Sequence, residues 1–350
     1  MLTEEQLRKK LQNEVETAFL AKYGPDPEKQ LCDRLREEWA VIAEAKQEGD
    51  ILLLLEISRW LKDTPHWMDF CSGASFILYL LKITRGNPLP PHYWCPKCHQ
   101  VVFFPNYKDG FDLPGEEYCG TDFTLMDRDG HNIPWQSLWG YRGEPASFGM
   151  KLPRKLYNEF RTMLKSRMNL FLEDGTELKE KELDMGPYGK KMQLVAGKLH
   201  FDFCLDEKSW QPESLKDLIC NWALMYDDSE LTRKYPAPDT FADLVKIEGI
   251  LHNDYVQNPL TEELLSRSCQ GLKDLITCRE EVFQSLLKDG LSKENARYVM
   301  ELVRKGRKLT SEAEKMLEAA DSSDIEQYKN ISYLVPKGMI IEYLLYILGN

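Results

Sequence analysis

Cys95-Pro-Lys-Cys98 is the sharpest chemical signal in this chain. Two thiolates with two residues between them can share one tetrahedral ion, because the intervening turn brings both sulfurs to one side and presents backbone N–H groups to them. A closed zinc site needs further ligands. Cys119 supplies one, and Glu116, three positions earlier, offers a carboxylate of a kind zinc accepts; His99 and His92 are the other donors nearby. The expected metal set is therefore Cys95, Cys98, Cys119 and Glu116, around a structural zinc. The plainer alternative is a ribbon that has lost a ligand and whose remaining thiols are simply buried.

Two other groups of residues could do chemistry. Asp202, in HFDFCLDE, is the candidate catalytic carboxylate, since two-metal phosphoryl transfer needs acidic side chains on one side of adjacent strands. Strand alternation puts it on the face opposite Phe201 and Phe203, where a lone aspartate is ordinarily just solvated. Arg304, Lys305, Arg307 and Lys308 surround Gly306 at the end of an expected helix. The helix dipole alone favours cations there by roughly 0.3–1 kcal/mol each; the functional alternative is a corner that grips the phosphates of a nucleic acid or nucleotide.

The elements that must position these residues are mostly helical. Thr3 and Gln6 form a capping-box signature, and Leu7, Leu11, Val15 and Phe19 continue a helix to about Lys22, stopped by Gly24-Pro25. Asp26-Pro27 opens an expected second helix reaching near Gly49, and DILLLLEISRWLKDT reads as a buried helix or a strand running into one. A third apolar helix is expected over Ser72–Thr84, and another from Pro153 to about Leu172. LKEKELDM, KKMQLVAGK and LHFDFCL read as a small meander of strands. Beyond Ser214 the pattern is helical, with starts at Thr261, at Thr277 with Glu280, at Ser292, at Thr310 or Ser311, and at Lys337. The fold class expected is α+β and mostly helical, in four segments: residues 1–94, a Cys-rich loop over 95–143, 144–213 with a helix and small sheet, and the helical 214–350.

Composition limits the function classes. The 350 residues carry a net charge of −12, which repels polyphosphate at long range, so any nucleic-acid contact must be local. Nine cysteines without regular spacing suit reduced thiols better than a disulfide framework. No apolar run is long enough to cross a membrane, and the N-terminus lacks the features of a signal peptide, so a cytoplasmic protein without a membrane partner is expected.

Taken in order, NPLPPHYWCPKC, DGFDLPGEEYCG and DRDGHNIPWQSLWGYRG resemble the zinc-containing palm region of PolC-type DNA polymerase III alpha subunits. KYGPDPEKQLCDRLREEW upstream is similar to the start of that palm. DTFADLVKIEGILHN, DLITCREEVFQSLLKDGLSKENARYVMELVRKGRKLT and YKNISYLVPKGMIIEYLL are similar to the fingers. The resemblance implies a polymerase-beta-like palm, a zinc ribbon, catalytic magnesium, and DNA, nucleotide and replisome partners, with Arg304–Lys308 and Lys337 as the binding cations.

The departures shape the expectation. The family's Ser-Arg-Gly-Ser-type phosphate-binding run corresponds here to Asp69-Phe-Cys-Ser-Gly-Ala-Ser75, without the arginine. After the segment matching GYRG the family has an Asp-x-Asp that ligates the metals, whereas this chain has no aspartate from Gly143 to Leu172. The long insert that follows in the family, including its thumb, is missing or replaced, and Met339 stands where it has histidine. With the sequence ending at Asn350, no OB-type domain or exonuclease is expected. The resulting reading is a truncated, degenerate paralogue that has lost nucleotidyl transfer and serves as a nucleic-acid, nucleotide or replisome binding module. The alternatives are an active nucleotidyltransferase using magnesium on relocated carboxylates such as Asp202 and Asp206, and an inhibitory partner that mimics a polymerase.

Overall fold

In the computed structural model, α1 (Glu4–Tyr23) opens on the expected capping box between Thr3 and Gln6 and closes at Gly24. The structure describes residues 2–349 except 122, 140–143, 185–189, 207–209, 227–231, 233–234, 253–271 and 273–274. Among these, α2 (Lys29–Ala45) starts later than the Asp26-Pro27 signal and ends at left-handed Lys46. The apolar run that follows resolves as a helix, α3 (Glu48–Leu61), with Ile51 to Leu55 all buried. The expected long helix over 72–84 is instead one turn of 3-10 helix and a short α4 (Phe76–Leu80) capped by Ser75.

Two units divide the chain, residues 1–208 and 209–349. The first is built on a five-stranded mixed sheet of order β1-β5-β8-β7-β6. Its strands are β1 (Trp67–Asp69), β5 (Phe148–Pro153), β6 (Leu178–Asp184), β7 (Lys190–Ala196) and β8 (Leu199–Leu205). The meander β6-β7-β8 is the one the sequence indicates. The central β5 lies parallel to β8, pairing Lys151 with Asp202, and antiparallel to β1, pairing Trp67 with Lys151. It sits within what reads in sequence as the approach to a helix; the helix itself, α5 (Tyr157–Phe171), begins after it. One sheet face is apolar: Met150, Leu152, Leu194, Phe201 and Phe203 are buried. Phe160 of α5 packs on Phe201 and Phe203 with ring centroids 4.9 and 5.4 Å away.

A three-stranded sheet, β3-β2-β4, forms the Cys-rich segment from β2 (His92–Trp94), β3 (Val101–Phe103) and β4 (Asp127–Asp129). Asp129 fastens it to the helices. Its Oδ2 lies 3.4 Å from Lys22 Nζ and accepts from Tyr79 Oη and Asn87 Nδ2, both at 2.8 Å. Gly130 is needed beside it: φ is +98°, and a Cβ there would lie 2.3 Å from the Pro90 carbonyl oxygen.

In the second unit the described helices are α6 (Leu215–Cys220), α7 (Phe241–Leu251), α8 (Arg279–Lys288), α9 (Lys293–Val303), α10 (Ser311–Ala319), α11 (Ile325–Asn330) and α12 (Lys337–Leu348). Ser292, Thr310 and Lys337 mark starts as expected. The capping box of α8 is shifted by one residue from Thr277/Glu280 to Cys278/Glu281. The helix expected from Thr261 lies outside the described residues.

Candidate functional site

The non-helical face of the mixed sheet brings charged residues together by register. Gln193 pairs with Asp202 across β7 and β8, and Lys151 pairs with Asp202 across β5 and β8. Asp69, opposite Gly149, falls on the same face. The Lys151 ammonium lies 2.7 Å from Asp69 Oδ2 and 2.8 Å from Asp202 Oδ2. Asp202 also meets Lys191 Nζ at 2.7 Å and accepts from Gln193 Nε2 at 2.7 Å. It is not the solvated aspartate that alternation suggests: both Asp69 and Asp202 are only 7% exposed.

Burial by itself would raise the Asp202 carboxyl, but the Lys151 charge, with hydrogen bonds from Lys151, Lys191 and Gln193, outweighs it and holds the group at about 2. Burial likewise opposes the Lys151 charge and is outweighed by Asp69 and Asp202, so the ammonium is held well above the usual lysine range. Two carboxylates thus face each other across a cation that belongs to the chain. Asp206 lies apart, exposed, with Arg154 Nε 3.2 Å from its Oδ1.

Close by, the start of α4 could have held an anion. Its amides are taken by Glu38, which is fully buried: Phe76 N and Ile77 N donate to the carboxylate at 2.9 and 3.2 Å, and Ser75 Oγ donates at 2.9 Å. Arg34 Nε completes the set at 2.6 Å. The arginine absent from residues 69–75 is not replaced by an open phosphate turn; an internal carboxylate fills it.

The Cys-rich segment brings Cys95, Cys98 and Cys119 together, their sulfurs all within 4.8 Å of one another. A tetrahedral zinc with bonds of about 2.3 Å needs sulfurs roughly 3.8 Å apart, so three thiols fit the ion. They rest on a small apolar cluster of Tyr93, Leu113 and Met126. Among the described residues this is the one group of three or more metal-ligating side chains close enough to share an ion, and no three carboxylates come that close. The structure does not bring Glu116 into it: the carboxylate accepts from Tyr118 Oη at 3.0 Å. His99 Nδ1 is 2.8 Å from the Lys22 carbonyl oxygen, and His92 Nδ1 is 2.7 Å from that of Pro90.

In the second unit, Arg304 and Lys305 turn to Glu301, at 2.7 and 3.1 Å. Arg307 and Lys308 are exposed beyond Gly306, whose φ of +58° and close approach to the Ser332 carbonyl oxygen make the corner. The Lys337 backbone N–H donates to Glu280 Oε2 at 2.8 Å.

One cleft was not foreseen. It has a volume of about 640 Å³ and lies between the starts of α1 and α3 and the end of α5. Asp50 lines it, accepting from Gln47 Nε2 and raised to about 6 by burial. Its other carboxylates include Glu48 and Glu4, which pair with Arg8 and Lys46.

A mixed α+β unit carrying this sheet, joined in sequence to a helical one, is consistent with a polymerase-related protein. The comparisons with known proteins point the same way: the chain is a distant relative of PolC-type DNA polymerase III. It is 24% identical to the Bacillus subtilis enzyme over 389 aligned positions, covering 78% of this chain and 27% of the relative. Against the Listeria welshimeri enzyme it is 25% identical over 391 positions, with the same coverage. A shorter stretch of 74 residues is 43% identical to the Bacillus cereus enzyme. The chain therefore spans about a quarter of the length of these relatives. No family profile matches it. No described helix is long and apolar enough to cross a membrane.

Sequence reasoning singled out Asp202, which the structure places in an ion cluster, and the three cysteines, which it brings together. It missed Lys151 and Asp69, whose meaning depends on a strand pairing, and Glu38, whose partners Ser75, Phe76 and Ile77 lie 37 to 39 residues away. The one available signal was a lysine inside the apolar run FGMKLP.

Proposed function

We propose that this chain is a degenerate relative of the PolC-type polymerase that no longer transfers nucleotides and acts as a binding module. The mixed sheet is the reduced palm, the Cys-rich segment a zinc-ribbon-like clip, and the helical unit the counterpart of the fingers. One observation carries the reading: the Lys151 ammonium lies between Asp69 and Asp202. Two-metal phosphoryl transfer needs carboxylates whose charge is offset by divalent ions, and here a tethered cation offsets it. Asp202 then acts as the anchor of an ion cluster. The experiment is primer extension with magnesium or manganese. No template-dependent incorporation is expected, and incorporation abolished by Asp202→Ala would sink the proposal.

The ligand of the module is read as nucleic acid, nucleotide or a replisome protein, reached through Arg307 and Lys308 with Arg304, Lys305 and Lys337 behind them. Structural zinc held by Cys95, Cys98 and Cys119 keeps the clip closed. A second reading, a partner that mimics a polymerase at a protein contact, is favoured by the net charge of −12 and by the hold of Glu301 on two of the cations. Affinity capture with the purified chain distinguishes it: a replication protein retained in nuclease-treated extract supports mimicry, and retention lost with the nucleic acid counts against it.

A further inference from the structure

The cleft at the starts of α1 and α3 has a volume of about 640 Å³, enough for a small organic molecule. Leu2, Leu7, Phe171 and Leu172 give it an apolar lining. Its sides are tied together, since Leu2 N donates to the Leu170 carbonyl at 3.3 Å and so joins the chain before α1 to the end of α5. The charges that line it are unequal, five carboxylates against three cations. Arg8 meets Glu48 at 3.0 Å and Lys46 meets Glu4 at 3.1 Å, which leaves Asp50 and the exposed Glu173 and Asp174.

Asp50 differs from the other carboxylates. Gln47 Nε2 donates to its Oδ2 at 3.0 Å, and among the described residues it has no other hydrogen bond and no ion pair. The direction of that amide is fixed. Gln47 Oε1 accepts from Trp139 Nε1, which can only donate, at 2.9 Å and from Ala146 N at 2.7 Å, so the Nε2 end has to face Asp50 and the Ala146 carbonyl. An acid in the first turn of a helix ordinarily answers the helix dipole, which would lower its pKa. Here burial dominates and, with the Glu173 charge, outweighs the Gln47 hydrogen bond and Lys198, so the carboxyl is raised to about 6. A firmly aimed carboxylate thus stands in a cavity without a counter-ion.

The residues discriminate among ligand classes. An anion meets an excess of carboxylates. A divalent metal ion needs several ligands, and among the described residues no three of these carboxylates come close enough to share one. A neutral apolar molecule leaves Asp50 buried and unpaired. We propose that this cleft binds a small primary alkylamine as its ammonium ion, with the N–H donors on Asp50 and the alkyl chain along Leu2, Leu7, Phe171 and Leu172.

The test uses the full chain and probes of one length, hexylammonium, hexan-1-ol and hexanoate, with affinities read by titration calorimetry. Hexylammonium is expected to bind at least about tenfold tighter than the other two at neutral pH. Asp50→Asn, which keeps an acceptor for Gln47, should remove that preference and retain the alcohol. Hexylammonium affinity should be level above about pH 7 and fall as pH drops below about 6, where the carboxylate takes up a proton. The other charges facing the cleft are Glu4, Arg8, Lys46, Glu48, Glu173, Asp174 and Lys198, so the pH dependence is assigned to Asp50 by its loss in Asp50→Asn. A lysine side chain carries the same ammonium, and tighter binding of Nα-acetyl-lysine methylamide than of hexylammonium would overturn the free amine in favour of a peptide. No binding of hexylammonium, equal affinity for hexan-1-ol, or an equal loss from Asp174→Asn, which would mark diffuse attraction, overturns the site itself.

Discussion

Lys151 has 18% of its side chain exposed and two carboxylates within 2.8 Å, so removing it strands charge rather than a surface contact. The Lys151→Met variant should lose about 3 kcal/mol at neutral pH, read from urea unfolding. The loss should depend on pH in a set direction. The folded Asp202 titrates at about 2, below its unfolded value, so its stabilisation is present above the unfolded value and fades as pH falls through 4 toward 2. Without Lys151 that depression shrinks, so the gap between wild type and variant should narrow over the same window; a gap constant down to pH 2 would assign the loss to packing. Alternation made the facing of Asp202 legible from sequence. Lys151 was not legible, because a central strand buried on both faces reads as an apolar run leading into a helix.

Among the elements, the Cys-rich sheet depends most on local backbone geometry. Gly130 joins β4 to the chain that returns along Pro88 and Leu89, and its left-handed φ and contact with Pro90 leave no room for a methyl group. Gly130→Ala should cost more than ~1 kcal/mol and lower bound zinc by displacing β4, with thermal unfolding and metal content as the two readings. Retained zinc and an unchanged Tm would separate β4 from the metal clip. The first helix was readable to within a residue because its cap and stop are local. The 72–84 helix was misread because Ser75 ends one turn and starts another, and the partner that stabilises this start, Glu38, is remote in sequence.

For the whole molecule, charge decides what binding to expect. With a net charge of −12, a nucleic-acid complex must rest on few contacts and be salt-sensitive. Arg307→Ala with Lys308→Ala should lower the slope of log affinity against log salt by about 1 to 2, while Arg304→Ala with Lys305→Ala should lower it less, since Glu301 already offsets that pair. Equal effects would place all four cations on the ligand. The class of fold was legible because helical periodicity dominates beyond Ser214. The mixed sheet was only half legible, since β1 and β5 acquire their pairing from residues far along the chain.

The ammonium between Asp69 and Asp202 differs from a metal ion in one further respect. Being covalently attached, it has no dissociation constant and cannot be diluted away, exchanged or chelated. Its local concentration is set by the length of a lysine side chain and not by the supply of ions around the protein. The sheet is therefore indifferent to the divalent-ion content of its surroundings, whereas a thiol clip that takes zinc is not. The tethered cation of the sheet accordingly answers to acid, whereas the three clustered thiols, which could hold a metal ion, would answer to its supply.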